Sequence, residues 1–120
     1  MFGKVKIGSK EIEMVSNGAT PYRFKQVFHK DLLKFFSDAV SGKVDDGEAA
    51  EVSSKLGFIM AKQNEMADLT KLSEESFIEW TEMFEPNDLI LAAEDIVAIY
   101  SGNMQQTSEA KKEEGPQIES

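Results

Sequence analysis

Alternation of polar and apolar residues dominates the first fifteen positions. Lys4-Val5-Lys6-Ile7 and Glu11-Ile12-Glu13-Met14-Val15 each switch at period two, with Gly8-Ser9-Lys10 between them. This pattern predicts a β-hairpin whose Val5, Ile7, Ile12 and Met14 side faces a core. A two-stranded ribbon is marginal alone, so that side has to pack on a helix or pair with another subunit, and its edges are a candidate assembly surface. Ser16-Asn17-Gly18 then reads as a turn, after which the period changes to that of a helix.

Thr20 is placed to cap a helix with its hydroxyl, and Pro21 suits the first helical position, where a missing N–H costs nothing. Phe24, Val27 and Phe28 follow at i, i+3 and i+4, giving one apolar face with Arg23, Lys25 and Gln26 largely off it. Asp31 reads as a second cap opening a helix over Leu32 to Val40, so His29-Lys30 must turn the chain or continue it as helix. Ser41 to Gly47 is a predicted loop. Glu48 to about Leu69 reads as a long helix with Val52, Leu56, Ile59 and Met66 on one face, widened by Phe58 and Met60. Gly57 inside it costs roughly 1 kcal/mol relative to alanine, which points to a close helix crossing or a bend. Ser73 begins a capping pattern for a helix running to Phe84. Its Phe77, Trp80 and Phe84 form an aromatic stripe, with Ile78 and Met83 beside it; the default reading is core, the alternative a groove for a partner helix. Pro86-Asn87-Asp88 starts a last helix with Leu89, Ala92, Ala93, Ile96, Val97 and Tyr100 on one face, ending near Ser101-Gly102.

Together these elements predict a mainly α (α+β) fold: an N-terminal hairpin at about 4–15 and about four to five helices in a small bundle at about 21–101. The chain of 120 residues has room for one compact domain, assigned to 1–102. From 103 the sequence has little apolar surface to offset ordering entropy, and a disordered acidic tail is expected there.

Net charge is −9, and its distribution matters more than its total. Through Lys43 there are eight Lys or Arg against four Asp or Glu; from Val44 onward there are five against eighteen. Such asymmetry suits head-to-tail self-association into a homo-oligomer, or docking on a basic partner; solvated helix faces with an acidic tail are the plain alternative. Nucleic acid is disfavoured because the larger part of the molecule would repel phosphates. No apolar run approaches the length of a membrane span, so a membrane location is not expected. Cysteine is absent, which removes disulfides, thiolate nucleophiles and cysteine-ligated zinc.

Catalytic chemistry has little to stand on. His29 is the sole histidine and has no companion for a metal site or a nucleophile pair. Asp45-Asp46-Gly47-Glu48 lacks the ligand ladder of a calcium loop and reads as a helix N-terminus. Glu74-Glu75 and Glu94-Asp95 are adjacent on helices and point about 100° apart, so their carboxylates do not converge. No phosphate-binding or nucleophile-elbow motif occurs, so no catalytic, cofactor or metal residues are assigned and an enzyme is not expected.

The run Asn17 to Leu33, NGATPYRFKQVFHKDLL, resembles the tail assembly chaperones of long-tailed bacteriophages, particularly those of phages and prophages of Gram-positive bacteria. Their N-terminal regions carry a similar short hairpin, A-T-P-x-R-[FY] and K-D-L-L. The match covers about seventeen residues, weakly extended over the hairpin. It departs at His29, where a helix ending in a left-handed residue favours glycine. The resemblance implies a small protein of the host cytoplasm, absent from the mature virion. It would bind the tape measure protein, shield its long hydrophobic helices and recruit major tail tube protein subunits. Under that reading Tyr22, Arg23, Lys25 and Lys30 are the candidate partner or self-association residues. Two rival readings are a small acidic phage regulator or decoy protein, and a structural head-tail connector subunit.

Overall fold

Ten consecutive residues of the longest helix, Val52 to Ala61, are buried without interruption, so that helix is enclosed on all sides. The computed structural model describes residues 1–102. Strands β1 (Phe2–Ile7) and β2 (Lys10–Val15) pair antiparallel with Ile7 opposite Lys10, which leaves Gly8-Ser9 as a two-residue turn. Gly8 supplies the positive φ that a tight hairpin turn needs at its first central position. Helices follow as α1 (Thr20–Phe28), α2 (Leu32–Val40), the enclosed α3 (Asp46–Asn64), α4 (Glu74–Thr81), α5 (Pro86–Leu91) and α6 (Ala93–Ser101), with a 3-10 turn at Leu69–Lys71. α5 and α6 meet at Ala92 without a loop, breaking the single last helix that the apolar periodicity predicts. The mainly α architecture with an N-terminal hairpin is as expected.

The hairpin buries Val5, Ile7 and Met14, the predicted face, against α3, with α5 and α6 flanking β1. Gly57 is what lets these layers approach. A Cβ there would lie 2.9 Å from Ile96 Cδ1 of α6 and 3.3 Å from Met14 Cε of β2, and both side chains are fully buried. The close crossing read from Gly57 is therefore present. A second cluster fills the far side of α3, where Phe58 meets Phe28, Phe77 and Trp80 with ring centroids 6.2, 5.8 and 5.6 Å away. Trp80 is buried and Phe77 and Phe84 are half-buried, so the aromatic stripe of α4 belongs to the core.

Three local expectations are corrected. Thr20 is not a cap: it lies inside α1, fully buried, and its hydroxyl accepts from the Asn17 amide at 2.9 Å and from Gln63 Nε2 at 3.0 Å. The long helix stops at Asn64 rather than about Leu69, so Met66 is 89% exposed and left-handed instead of lying on the core face. The amide of Ala67 bonds the carbonyl of Lys62 and that of Met66 the carbonyl of Gln63, which is the paired closure of a helix C-terminus. Finally, α4 ends at Thr81, three residues before Phe84. The caps at Asp31 and Ser73 form as expected and Asp45 supplies another that opens α3, each side chain accepting from backbone amides of the first turn. The predicted disordered tail lies outside the described residues.

His29 ends α1 in the left-handed conformation, φ 58°, with its amide bonded to the Lys25 carbonyl at 2.8 Å. The break between α1 and α2 thus survives without glycine. Because a side chain in that region carries a steric cost, His29→Gly should raise stability by about 0.5–1 kcal/mol, read as a higher urea midpoint at unchanged helicity. Gly57→Val is expected to lower stability by about 1–3 kcal/mol through overpacking against Ile96 and Met14. Gly57→Ala should fall between it and the parent, since about 1 kcal/mol of helix propensity offsets part of the clash.

Candidate partner-binding surface

The four candidate residues all lie on or just after α1, but the fold does not bring them into one patch. Tyr22 is 75% exposed and opposite the buried Phe24, Val27 and Phe28. Lys25 is exposed one turn beyond Pro21, on that residue's edge of the helix, and Pro21 borders a shallow depression with Tyr100 and Gly102. Arg23 takes the other edge and lines a different depression, with Met66 and Leu69. Lys30 is drawn toward α3, where its ammonium meets Glu48 at 2.9 Å. Both partners of that pair are well solvated, so it contributes about 0–1 kcal/mol. Among the described residues Arg23 and Lys25 have no acidic partner, whereas Lys30 is neutralised within the chain.

Sequence reasoning missed the apolar surface beside them. Residues of α2 advance by about 100° each, which places Phe35, Leu32, Phe36, Val40 and Leu33 on one arc about 160° wide. Only Leu32 and Phe35 are buried; Leu33 is 70% and Val40 91% exposed. Phe36 stands between, half-buried and stacked on Tyr100 with centroids 5.4 Å apart and rings 14° from parallel. Burial pushes the Tyr100 phenol above its ordinary pKa. The Leu-Leu pair of the K-D-L-L motif is thereby split, Leu32 inward and Leu33 outward. The signal was legible as an apolar arc wider than a nine-residue helix needs for one contact.

Lys55 is the one buried cation among the described residues, and its surroundings are structural. Its ammonium reaches Glu51 at 2.8 Å and Glu74 at 3.0 Å and lies 5.0 Å from the centroid of the Phe28 ring. Burial pulls it toward the neutral form, but the hydrogen bonds and charges of Glu51 and Glu74 outweigh that, leaving its pKa above the ordinary 10.5. It ties α4 to α3. No group of three or more His, Asp or Glu able to hold a metal occurs among the described residues, and no helix among them is long and apolar enough to cross a membrane. No family model, curated protein or solved structure matches this chain.

Lys55→Met keeps the packed stem and removes the charge, so stability at pH 7 should fall by about 1 kcal/mol. A raised lysine pKa contributes stability that is complete below the unfolded value and lost as pH rises through the folded one. The difference in urea midpoint between parent and Lys55→Met should therefore stay constant from pH 7 to 9 and shrink as pH passes above 10.5.

Proposed function

We propose that this chain is a phage tail assembly chaperone: a binding protein of the host cytoplasm, without catalytic chemistry, that covers hydrophobic helices of the tape measure protein and recruits tail tube subunits. The observation that carries the reading is the outer side of the α2 arc, where Leu33, the last residue of K-D-L-L, and Val40 are exposed on either side of half-buried Phe36. An amphipathic helix of a partner could lay its apolar face along that edge, using the i, i+3, i+7 spacing that helix-in-groove recognition requires. Exposed apolar side chains scattered singly are ordinary, and two on the same side of one short helix give this reading its support.

Leu33→Asp and Val40→Asp test this. Both positions are solvent-facing, so thermal stability should stay within about 0.5 kcal/mol of the parent. Co-purification with the tape measure protein of the same genome should fall at least tenfold for the double variant. Undiminished capture would overturn the α2 assignment. Stoichiometric presence in purified virions, read by mass spectrometry, would favour a structural connector instead.

A further inference from the structure

Alternate residues of an antiparallel strand turn their main-chain groups out of the ladder, so a two-stranded hairpin has two outer edges. The phase of this ladder is fixed at its open end, where the Ser16 amide donates to the Met1 carbonyl at 2.8 Å and the Met1 nitrogen donates to the Ser16 carbonyl. Met1 and Ser16 are therefore a hydrogen-bonded pair, and in the same register so are Gly3 with Met14, Val5 with Ile12 and Ile7 with Lys10. The N–H and C=O groups of Phe2, Lys4 and Lys6 then point away from β2, and those of Glu11, Glu13 and Val15 away from β1. The two edges differ in what meets them. Along β2, Gln63 Nε2 of α3 donates to the Val15 carbonyl at 2.8 Å and Asn64 Nδ2 reaches Glu13 Oε1 at 3.5 Å. Along β1, no described residue bonds the outward main-chain groups of Phe2, Lys4 or Lys6, and all three residues are exposed.

The side chains beside that open edge define what it accepts. Val5 and Ile7 are buried and Gly3 shares their face, where Ile99 of α6 fills the space of a side chain, so α6 meets β1 from the core side. Lys4 and Lys6 stand on the opposite, solvent face and form no ion pair among the described residues. β2 supplies the pattern that suits them, setting Glu13 opposite Lys4 and Glu11 opposite Lys6 with the apolar Ile12 between them. A strand laid on the free edge meets the same two lysines from their other side, and opposite charges directly across a ladder are favourable where like charges are not. The same rule disfavours a second copy. Two β1 edges paired antiparallel about Lys4 would set Lys4 against Lys4, and paired about Val5 would set Lys4 against Lys6. The β2 edge of a second copy is the one that α3 already meets.

We propose that the outer edge of β1 is a docking site for an extended segment of a partner protein whose sequence alternates acidic and apolar residues. Its main chain pairs with the N–H and C=O groups of Phe2, Lys4 and Lys6, making β1 the middle strand of three. Its Asp or Glu side chains lie beside Lys4 and Lys6 on the solvent face, and its apolar side chains continue the inward row of Val5 and Ile7. Main-chain pairing supplies the affinity, and the two lysines select by charge. The site is separate from the α2 contact and does not depend on the chaperone reading.

The probe is Ac-Val-Glu-Val-Glu-Val-NH₂, titrated by NMR into the ¹⁵N-labelled full-length chain. Ac-Val-Lys-Val-Lys-Val-NH₂ reverses its charge, and the acidic peptide N-methylated at both glutamates keeps the charge while losing the donors that face β1. The acidic peptide should shift the amides of Phe2, Lys4 and Lys6 saturably and slow their hydrogen exchange at least tenfold, while those of Val5 and Ile7, already in the ladder, change little. It should bind this edge at least tenfold more tightly than either control. Lys4→Gln combined with Lys6→Gln should remove its advantage over the lysine peptide. Equal binding of the N-methylated peptide, a charge preference that survives in the glutamine variant, or shifts confined to other surfaces would each overturn the proposal. So would Lys4 and Lys6 amides already protected in the free chain. Protection independent of concentration would assign the edge to the chain's own residues beyond 102, and protection that grows with concentration would assign it to a second copy.

Discussion

A helix buried on every side has to be wrapped, and the need to cover α3 organises the rest of this fold. No single neighbour can do it. The hairpin lies on one side through Val5, Ile7 and Met14, α6 presses Ile96 onto another, and Phe28, Phe77 and Trp80 close the aromatic flank around Phe58. Each is too small to be stable alone; a two-stranded ribbon in particular gains its stability from what it packs on. Small residues along α3 make the wrapping feasible. Ser53, Ser54, Gly57 and Ala61 keep the helix narrow, and Gly57 brings β2 and α6 to within van der Waals distance of its backbone. Helix propensity is given up at one position so that two layers can meet there.

Enclosure also creates the fold's main electrostatic problem. Ten buried positions in succession include residue 55, which is a lysine. Its stem packs as an apolar chain while the ammonium reaches the rim, where Glu51 and Glu74 accept from it and two aromatic faces lie below. The solution is local and leaves both carboxylates half in water, so desolvation is shared with solvent rather than borne by a closed ion pair. It also supplies a directional link between α3 and α4 that apolar contacts lack.

Much of this architecture was legible in residue order. The hairpin face and the caps at Asp31 and Ser73 follow from short-range chemistry and are present, while residue order left open whether His29 breaks the helix, which it does, and whether Gly57 serves a bend or the close crossing that is found. What failed depended on tertiary context. Thr20 looks like a cap, but Gln63, forty-three positions on, recruits its hydroxyl into the interior. Met66 continues the apolar period of α3, yet the helix closes two residues earlier in a turn that glycine would have announced and methionine conceals. Val52 to Ala61 mixes serine and lysine with apolar residues, so period alone suggested one face where packing uses all of them. For the candidate surface the sequence identified exposed residues without their grouping. Arg23 and Lys25 occupy opposite edges of α1, Lys30 is spent on Glu48, and the α2 edge was hidden inside what looked like an ordinary amphipathic helix.

The charge segregation acquires physical meaning once the ion pairs are located. Those formed within the described residues use Lys30, Lys34, Lys55, Lys62 and Lys71. Lys4, Lys6, Lys10, Arg23, Lys25 and Lys43 form no ion pair among the described residues, and all six lie in the first 43 residues. Glu75, Glu79, Glu82, Glu85, Asp88, Glu94 and Asp95 likewise meet no cation among the described residues. Within the described residues most of these charges form no ion pair, although Lys4 and Lys6 stand opposite Glu13 and Glu11 across the hairpin. At physiological ionic strength such poles act over about 8 Å, so they orient a partner on approach and contribute little to holding it. Holding requires desolvated apolar contact, which Leu33 and Val40 offer on α2, the helix that follows α1, and Ile90 and Leu91 offer on α5.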